Sequence, residues 1–395
     1  MYTENLRVEI AHRIERIQNE MRIAGADALL LSTNANLYYS SGRVYGGYTY
    51  VPATGDAIYF VRRPVGLKNG NVVYIHKPEQ IPALLAERGI AHPSCLALEQ
   101  DLASYGECIR LSALFPDATV VNGSPVMRRV RAVKSPYEVK LLKISAAHHA
   151  EAYRRIRSVY QEGMSDIELQ IEIERLLRLS GCLGLFRIGG SSMETFTGTL
   201  LCGTNADIPS PYDFAMGGAG LDPALPMGAN GSIIKPGMSV LVDLCGNFTG
   251  YMTDMTRIFR VGELPELAYR AHRCSIDIHR AFRETAKPGV AASELYRMAA
   301  DMAKEAGLEE YFMGHAQKAG FVGHGVGIEI NEAPVLAPRS RDVLVSGHVI
   351  ALEPKFVIPQ VGGVGIEDTY LITDTGVEQP VSYTHLRAHE TTLHL

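Results

Sequence analysis

Two pairs of β-type runs, each joined by a turn-rich stretch and each carrying one acid on either side of its turn, constrain this chain more than any other feature. In the first pair, Val240-Leu241-Val242-Asp243-Leu244 and Thr253-Asp254-Met255-Thr256 flank Gly246-Asn247-Phe248-Thr249-Gly250. A hairpin centred between Phe248 and Thr249 would set Asp243 directly opposite Asp254. In the second, Val349-Ile350-Ala351-Leu352-Glu353 and Val364-Gly365-Ile366-Glu367 flank Pro359-Gln360-Val361-Gly362-Gly363. A turn centred on Gln360 would again set acid against acid, Glu353 against Glu367. Opposed residues on an antiparallel pair share one face about 5 Å apart, where two carboxylates repel unless a cation lies between them. The chain therefore forms either two solvated surface hairpins or a single interior site for cations.

His324, in Gly323-His324-Gly325-Val326-Gly327, adds a nitrogen ligand between the two pairs. Four carboxylates and a neutral imidazole carry a formal charge of minus four, which two divalent ions would neutralise. Hard oxygen ligands with one histidine suit Mn, Co, Fe or Zn. The order and pairing of all five residues favour the interior site over the surface hairpins.

Composition sets the bounds. With 395 residues, 46% of them hydrophobic and 21% charged, the chain is long enough for two or three packed domains. A net charge of −5 and a pI near 6.2 offer no basic surface for nucleic acid or an anionic membrane, and neither partner is expected. Residues 1–22 read as a charged amphipathic helix rather than a signal peptide, and no stretch approaches 18 apolar residues. Six scattered cysteines without C-x-x-C spacing fit reduced thiols, so the expected location is cytoplasmic. Cys245, two residues from Asp243, would share its face as a small buried filler.

Helix and strand signals alternate through residues 1–130. A helix runs through Arg22, strands follow at Asp27–Leu31 and near Tyr59 and Val73, and helices cover Pro78 to Arg88 and Tyr105 to Phe115. An α/β domain around a mixed sheet is expected. No phosphate loop is present: Gly323-x-Gly325-x-Gly327 lacks the strand-to-helix context, and no Gly-Lys-Ser/Thr occurs. Ser135-Pro136-Tyr137-Glu138 is a capping box with proline at the first helical position, and a second domain is expected over residues 133–380. Of His148 and His149 on its first helix, one is expected to be solvated and the other half-buried. Within this domain Gly163-Met164-Ser165-Asp166-Ile167-Glu168-Leu169 is repeated 126 residues later as Gly289-Val290-Ala291-Ala292-Ser293-Glu294-Leu295. Each copy follows one long helix and opens another, which indicates an internal duplication. Residues 382–395 have no amphipathic period despite three histidines, and are read as a disordered or non-native tail outside the fold.

The five ligands, with Glu353-Pro354, Gly365-Ile366-Glu367-Asp368 and Val133-Lys134-Ser135-Pro136-Tyr137-Glu138, resemble the metallopeptidase family that contains aminopeptidase P, prolidase and methionine aminopeptidase, together with the non-peptidase creatinase. The resemblance covers residues 133–380, and residues 1–130 look like the smaller domain of aminopeptidase P, prolidase and creatinase. It implies an α+β fold: a duplicated "pita-bread" catalytic domain preceded by a creatinase-like α/β domain, usually as a homodimer. It also implies two divalent ions, manganese first among Mn, Co, Zn and Fe, bridged by Asp254 and Glu367, with Asp243 completing one site and His324 and Glu353 the other. Such ions activate a water and polarise a carbonyl, and Glu353 matches the family's proton shuttle.

Four polar groups common in the peptidases are replaced. Gly320 stands four residues before the metal histidine and Asn331 seven after it, where histidines are usual. Pro226 aligns with a further histidine, and Gly365 with an arginine two residues before the last Glu. Asn331 can donate an amide hydrogen bond but cannot change charge near neutral pH. Candidate compensating substrate groups are Lys355, where the family often has a small residue, Tyr212 and Asp213 in a Pro/Gly-rich loop, and His315. The leading expectation is a dinuclear metallohydrolase of the Xaa-Pro aminopeptidase/prolidase class acting on short peptides. The alternatives are a metal-dependent C–N hydrolase of a small creatinase-like amide, and a non-catalytic metal- or partner-binding homologue.

Overall fold

The computed structural model describes residues 4–68, 70–190, 195–212, 214–379 and 392–394. They fall into two compact units, the first running to Arg131 and taking in Gly189 and Gly190, the second holding the rest.

The first unit is the mixed α/β domain foreseen from the alternating signals. In chain order it holds α1 (Glu4–Ile23), β1 (Ala28–Leu31), α2 (Asn34–Ser41), β2 (Gly46–Pro52), β3 (Ile58–Arg63), β4 (Val72–Tyr74), α3 (Ile81–Ala86), β5 (Cys95–Leu98), α4 (Tyr105–Ser112), β6 (Thr119–Asn122) and α5 (Ser124–Ala132). Its sheet has the order β4-β3-β2-β1-β5-β6, antiparallel where β2 meets β1 and β3 and parallel elsewhere. Leu30, Tyr48, Phe60, Leu96 and Leu98 fill one face. The helix α2 escaped the periodicity because its buried side includes Asn36, Ser40 and Ser41. Its polar groups are satisfied inside, with Asn36 donating to Glu99 at 2.6 Å and Ser41 to the Leu37 carbonyl at 2.7 Å.

The second unit opens with α6 (Pro136–Arg154), whose capping box forms: Ser135 Oγ accepts from the Glu138 amide at 3.2 Å and the Glu138 carboxylate from the Ser135 amide at 2.9 Å. His148 is exposed and stacks on Phe248, whereas His149 is fully buried, not half-buried. The cause is Gly246: a Cβ there would meet the His149 ring at 2.5 Å, so the glycine leaves the space that the imidazole fills.

There follow α7 (Asp166–Leu179), β7 (Gly198–Cys202), β8 (Ser239–Asn247), β9 (Met252–Arg260), α8 (Glu266–Thr285), α9 (Ala292–Glu305), β10 (Gly323–Gly325), β11 (Glu332–Leu336), β12 (Val349–Leu352), β13 (Lys355–Ile358), β14 (Gly362–Gly365), β15 (Asp368–Ile372), β16 (Val377–Glu378) and β17 (Thr392–His394). The repeat noticed in the sequence is a repeat in space. Ser165, before α7, forms a bridge with Ile233, and Ala291, before α9, forms one with Val343. Asp166 N donates to Ser232 O at 2.8 Å and Ala292 N to Asp342 O at 2.9 Å, the same bond in both copies. One half carries the sheet β17-β9-β8-β7 and the other the sheet β11-β10-β12-β15-β16, with β13 and β14 as a separate pair. Helix α8 buries Ala271, Ser275, Ile278 and Phe282, a helical stripe, into a core shared with Leu241, Ile258, Ile350 and Phe356. Of residues 382–395, only 392–394 lie within the described part, as the short strand β17 beside β9; the tail expectation otherwise falls outside it.

Candidate metal centre

The first hairpin keeps its two acids on one face but in a different register from the expected one. Strand β8 pairs with β9 from Ser239–Arg260 to Asn247–Met252, so Asp243 faces Thr256 and Asp254 faces Cys245. The turn is centred one residue later because Asn247 Oδ1 accepts from the Gly250 amide at 3.0 Å and Gly250 takes φ of 89°. Shifting by an even number of residues leaves both carboxylates on the same face, now diagonal rather than opposed. The second hairpin turns at Gln360, which adopts φ of 67°, and Lys355 pairs with Gly365. Glu353 and Glu367 lie just past the open end of this ladder. Their amides are held elsewhere, Glu353 N on Val322 O at 2.9 Å and Glu367 N on Thr256 O at 3.2 Å. That second bond fastens one hairpin to the other.

The five residues converge. Asp254, His324 and Glu367 each bring one ligand atom within 4.8 Å of the others, and so do Asp243, Glu353 and Glu367. His324 Nδ1 lies 3.1 Å from the Gly325 carbonyl, which can only accept, so Nδ1 carries a proton and Nε2 is the nitrogen turned toward the other ligands. Nε2 faces Glu353 Oε1 at 3.3 Å and Asp254 Oδ2 at 3.8 Å. All five line one cavity of about 60 Å³, together with Asn331. A water needs roughly 10–15 Å³ measured this way, so a few waters or the reacting part of a small ligand fit.

Electrostatics suit the set to a cation. Burial, then the Asp243 charge, pushes Asp254 up to about 7. Burial and the neighbouring Asp254 and Glu353 hold Glu367 well above the usual carboxylate range. Burial alone would do the same to Glu353, but Lys355 and His324 outweigh it and hold Glu353 at about 2. Burial would lower His324, and Glu353 and Asp254 outweigh it and raise the imidazole above its ordinary value. Crowded buried acids that retain protons ionise when a cation is supplied. Glu367 Oε1, moreover, is buried without a hydrogen-bond partner, although Oε2 accepts from Thr256 Oγ1 at 2.8 Å. The donor set thus fits a divalent ion.

Among the proposed substrate groups the picture changes. Lys355 is 0% exposed, and its Nζ donates to Asp243 Oδ2 at 2.7 Å, Glu353 Oε2 at 2.8 Å and Glu367 Oε2 at 3.0 Å. An ammonium has three donors, and all are used within the ligand set. Lys355 is therefore no substrate contact. His315 is tied to Asp207 at 2.9 Å and does not line the cavity. Tyr212 also stays outside, its ring against Phe214, and Asp213 lies outside the described residues. From the same stretch of chain, Phe214, Ala215 and Met216 line the cavity. Phe186, Phe321 and Ile330 complete an apolar wall that no sequence signal singled out. Cys245 is buried beside Asp254, and burial, with the nearby carboxylates, raises its thiol well above the ordinary value. It is an inert part of the wall.

Comparison with known proteins agrees with this geometry. The model of metallopeptidase family M24 matches residues 140–374, more than half the chain. The chain belongs to metallopeptidase family M24. The creatinase/prolidase N-terminal domain model matches residues 13–133 of this M24 hydrolase. The uncharacterized peptidase YqhT of Bacillus subtilis is 27% identical over 92% of the chain and 96% of its own length. A Xaa-Pro dipeptidase of Pyrococcus horikoshii is 29% identical over 92% of the chain and 95% of its own length. Among solved structures, a Xaa-Pro dipeptidase from Bacillus anthracis is 25% identical and superposes with a TM-score of 0.78 over 98% of this chain and all of that one. A creatinase-like domain ahead of an M24 catalytic domain is therefore the architecture of this chain.

Proposed function

We propose that this M24 hydrolase cleaves an amide bond in a short peptide, the bond to proline. One observation supports this above the rest: Asp243, Asp254, His324, Glu353 and Glu367 line a single cavity with Asn331. Kinship with the Xaa-Pro dipeptidase of Pyrococcus horikoshii supports the substrate class.

Asp254, His324 and Glu367, with Asp243 and Glu353, are the residues that would hold divalent metal, manganese before Co, Zn or Fe because carboxylate oxygens outnumber the single imidazole. Bound metal supplies an activated water and polarises the scissile carbonyl. The family's two-ion loading rests on a charge of minus four, and Lys355 supplies one of those four positive charges itself. Glu353 lines the cavity beside His324 Nε2, where its carboxylate takes a proton from the attacking water and returns it to the leaving nitrogen. Asn331 lines the cavity, where its amide would donate to the carbonyl oxygen as negative charge builds there. Phe186, Phe214, Phe321 and Ile330 exclude water and suit a pyrrolidine ring.

A second reading, a small non-peptide amide as substrate, is favoured by one observation: the replacement of polar peptidase groups by Pro226, Gly320, Asn331 and Gly365. Assay of the metal-loaded protein on Xaa-Pro dipeptides and tripeptides beside a panel of small linear and cyclic amides separates the two. Turnover of Xaa-Pro peptides supports the first; turnover of small amides alone replaces it with the second; neither activity overturns both. The cysteines, all unpaired, suit a reducing compartment such as the cytoplasm, and no helix among the described residues is long and apolar enough to cross a membrane. By resemblance to its family we assign a homodimer, which light scattering on the eluting protein tests.

A further inference from the structure

We infer that Lys355 is a built-in cation that fills one of the two cation positions of the ligand set, so that this chain binds one divalent ion, held by Asp254, His324 and Glu367. The inference rests on the metal-binding part of the proposed function and not on the identity of the substrate.

The five ligands divide into two groups of three that share Glu367: Asp254, His324 and Glu367, and Asp243, Glu353 and Glu367. Lys355 belongs to the second group alone. Its Nζ reaches one oxygen of each member, Asp243 Oδ2 at 2.7 Å, Glu353 Oε2 at 2.8 Å and Glu367 Oε2 at 3.0 Å. Three N–H donors on three carboxylates satisfy the ammonium completely, and it is 0% exposed, so no solvent competes for it. A divalent ion bound to the same three oxygens, about 2 Å from each, would sit within a few Å of that buried positive charge. With the ammonium itself fully buried, that repulsion would be only weakly screened.

The first group differs: the lysine reaches it only through the shared Glu367. Neither Asp254 nor His324 is within hydrogen-bond reach of the lysine. His324 turns Nε2 toward Asp254 and Glu353 while Nδ1 is fixed on Gly325 O. Glu367, 1% exposed, spends Oε2 on Lys355 and Thr256 and keeps Oε1 buried with no partner. A buried carboxylate oxygen without a partner is a place for a ligand. One ion beside the histidine satisfies it; the ammonium already satisfies the other side.

The experiment is metal stoichiometry, with manganese as the probe. The full chain is loaded with excess Mn²⁺, freed of unbound ion by desalting, and measured by elemental analysis and by electron paramagnetic resonance. About one ion per chain is expected, with the six-line spectrum of an isolated ion. Lys355→Ala is expected to take up about two ions per chain and to show the spectrum of an exchange-coupled pair. Two ions with a coupled spectrum in the unsubstituted protein would overturn the inference and leave the hydrolase reading standing. One ion in both proteins would show that Lys355 is not what excludes the second, and overturns it also. Less than about 0.2 ion per chain in both would overturn the metal reading itself. If Lys355→Ala does not fold, the stoichiometry and spectrum of the unsubstituted protein still decide between one ion and two.

Discussion

Asp254 stands at the point where the two hairpins meet, bonded through its amide to Thr369 Oγ1 at 3.3 Å and turned toward His324. Asp254→Ala is expected to lower bound manganese at least about tenfold and to abolish hydrolysis with it, as checked by elemental analysis and peptide assay. Stoichiometric metal in that variant would refute the ligand assignment. Lys355 shows how a single side chain changes meaning with burial. In sequence it is a candidate substrate group; in the structure it grips three carboxylates of the site. What the sequence lacked was depth, because alternation along a strand tells which face a residue takes but not whether that face is open. The same holds for His315, whose spacing from His324 left its destination open and whose ring is held by Asp207 instead.

At the level of elements, the ligand-bearing hairpins were legible because turn chemistry and alternation are local. Gln360 is the turn centre that symmetry alone indicates. The β8–β9 turn was misplaced by one residue because the Asn247–Gly250 hydrogen bond, not the midpoint between the acids, decides where the chain reverses. The apolar wall of Phe186, Phe214 and Phe321 was illegible: its members come from irregular segments with no period to follow. Two tests belong to this scale. Gly365 has φ of 126°, and a Cβ there would meet Pro354 O at 2.5 Å and Lys355 Cα at 2.9 Å. Gly365→Ala is expected to destabilise by about 2 kcal/mol or more in urea unfolding, and a change below about 0.5 kcal/mol would contradict the close approach of β13 and β14. Ser135→Ala removes one arm of the α6 capping box and should cost about 1 kcal/mol by the same measurement, with Ser135→Asp recovering most of it.

Across the whole molecule, four buried histidines link stability to pH. Burial, with nearby cationic side chains adding to it at the first two and the last, lowers His149 and His272 to about 3 and His279 and His348 to about 4. Above the unfolded value near 6.5 these rings are neutral in both states, and stability does not respond to them. Below it the unfolded chain takes up protons that the folded chain refuses, so stability falls by up to about 1.4 kcal/mol per pH unit for each ring. Asp254 and Glu367, held high, act in the opposite sense, so the test is a difference: between pH 6.5 and 4 at constant ionic strength the melting temperature of His149→Gln is expected to fall less than that of the unsubstituted protein, and equal slopes would contradict it. The duplicated halves carry a different consequence. Asp243 and Asp254 come from one half, His324, Glu353 and Glu367 from the other, and Glu367 N is fastened to Thr256 O across them. During synthesis, which proceeds from the N-terminus, no complete cluster exists until Glu367 has left the ribosome. An ion that needs the full set can thus not template the early steps of folding; its binding registers that the second copy has arrived and closed on the first.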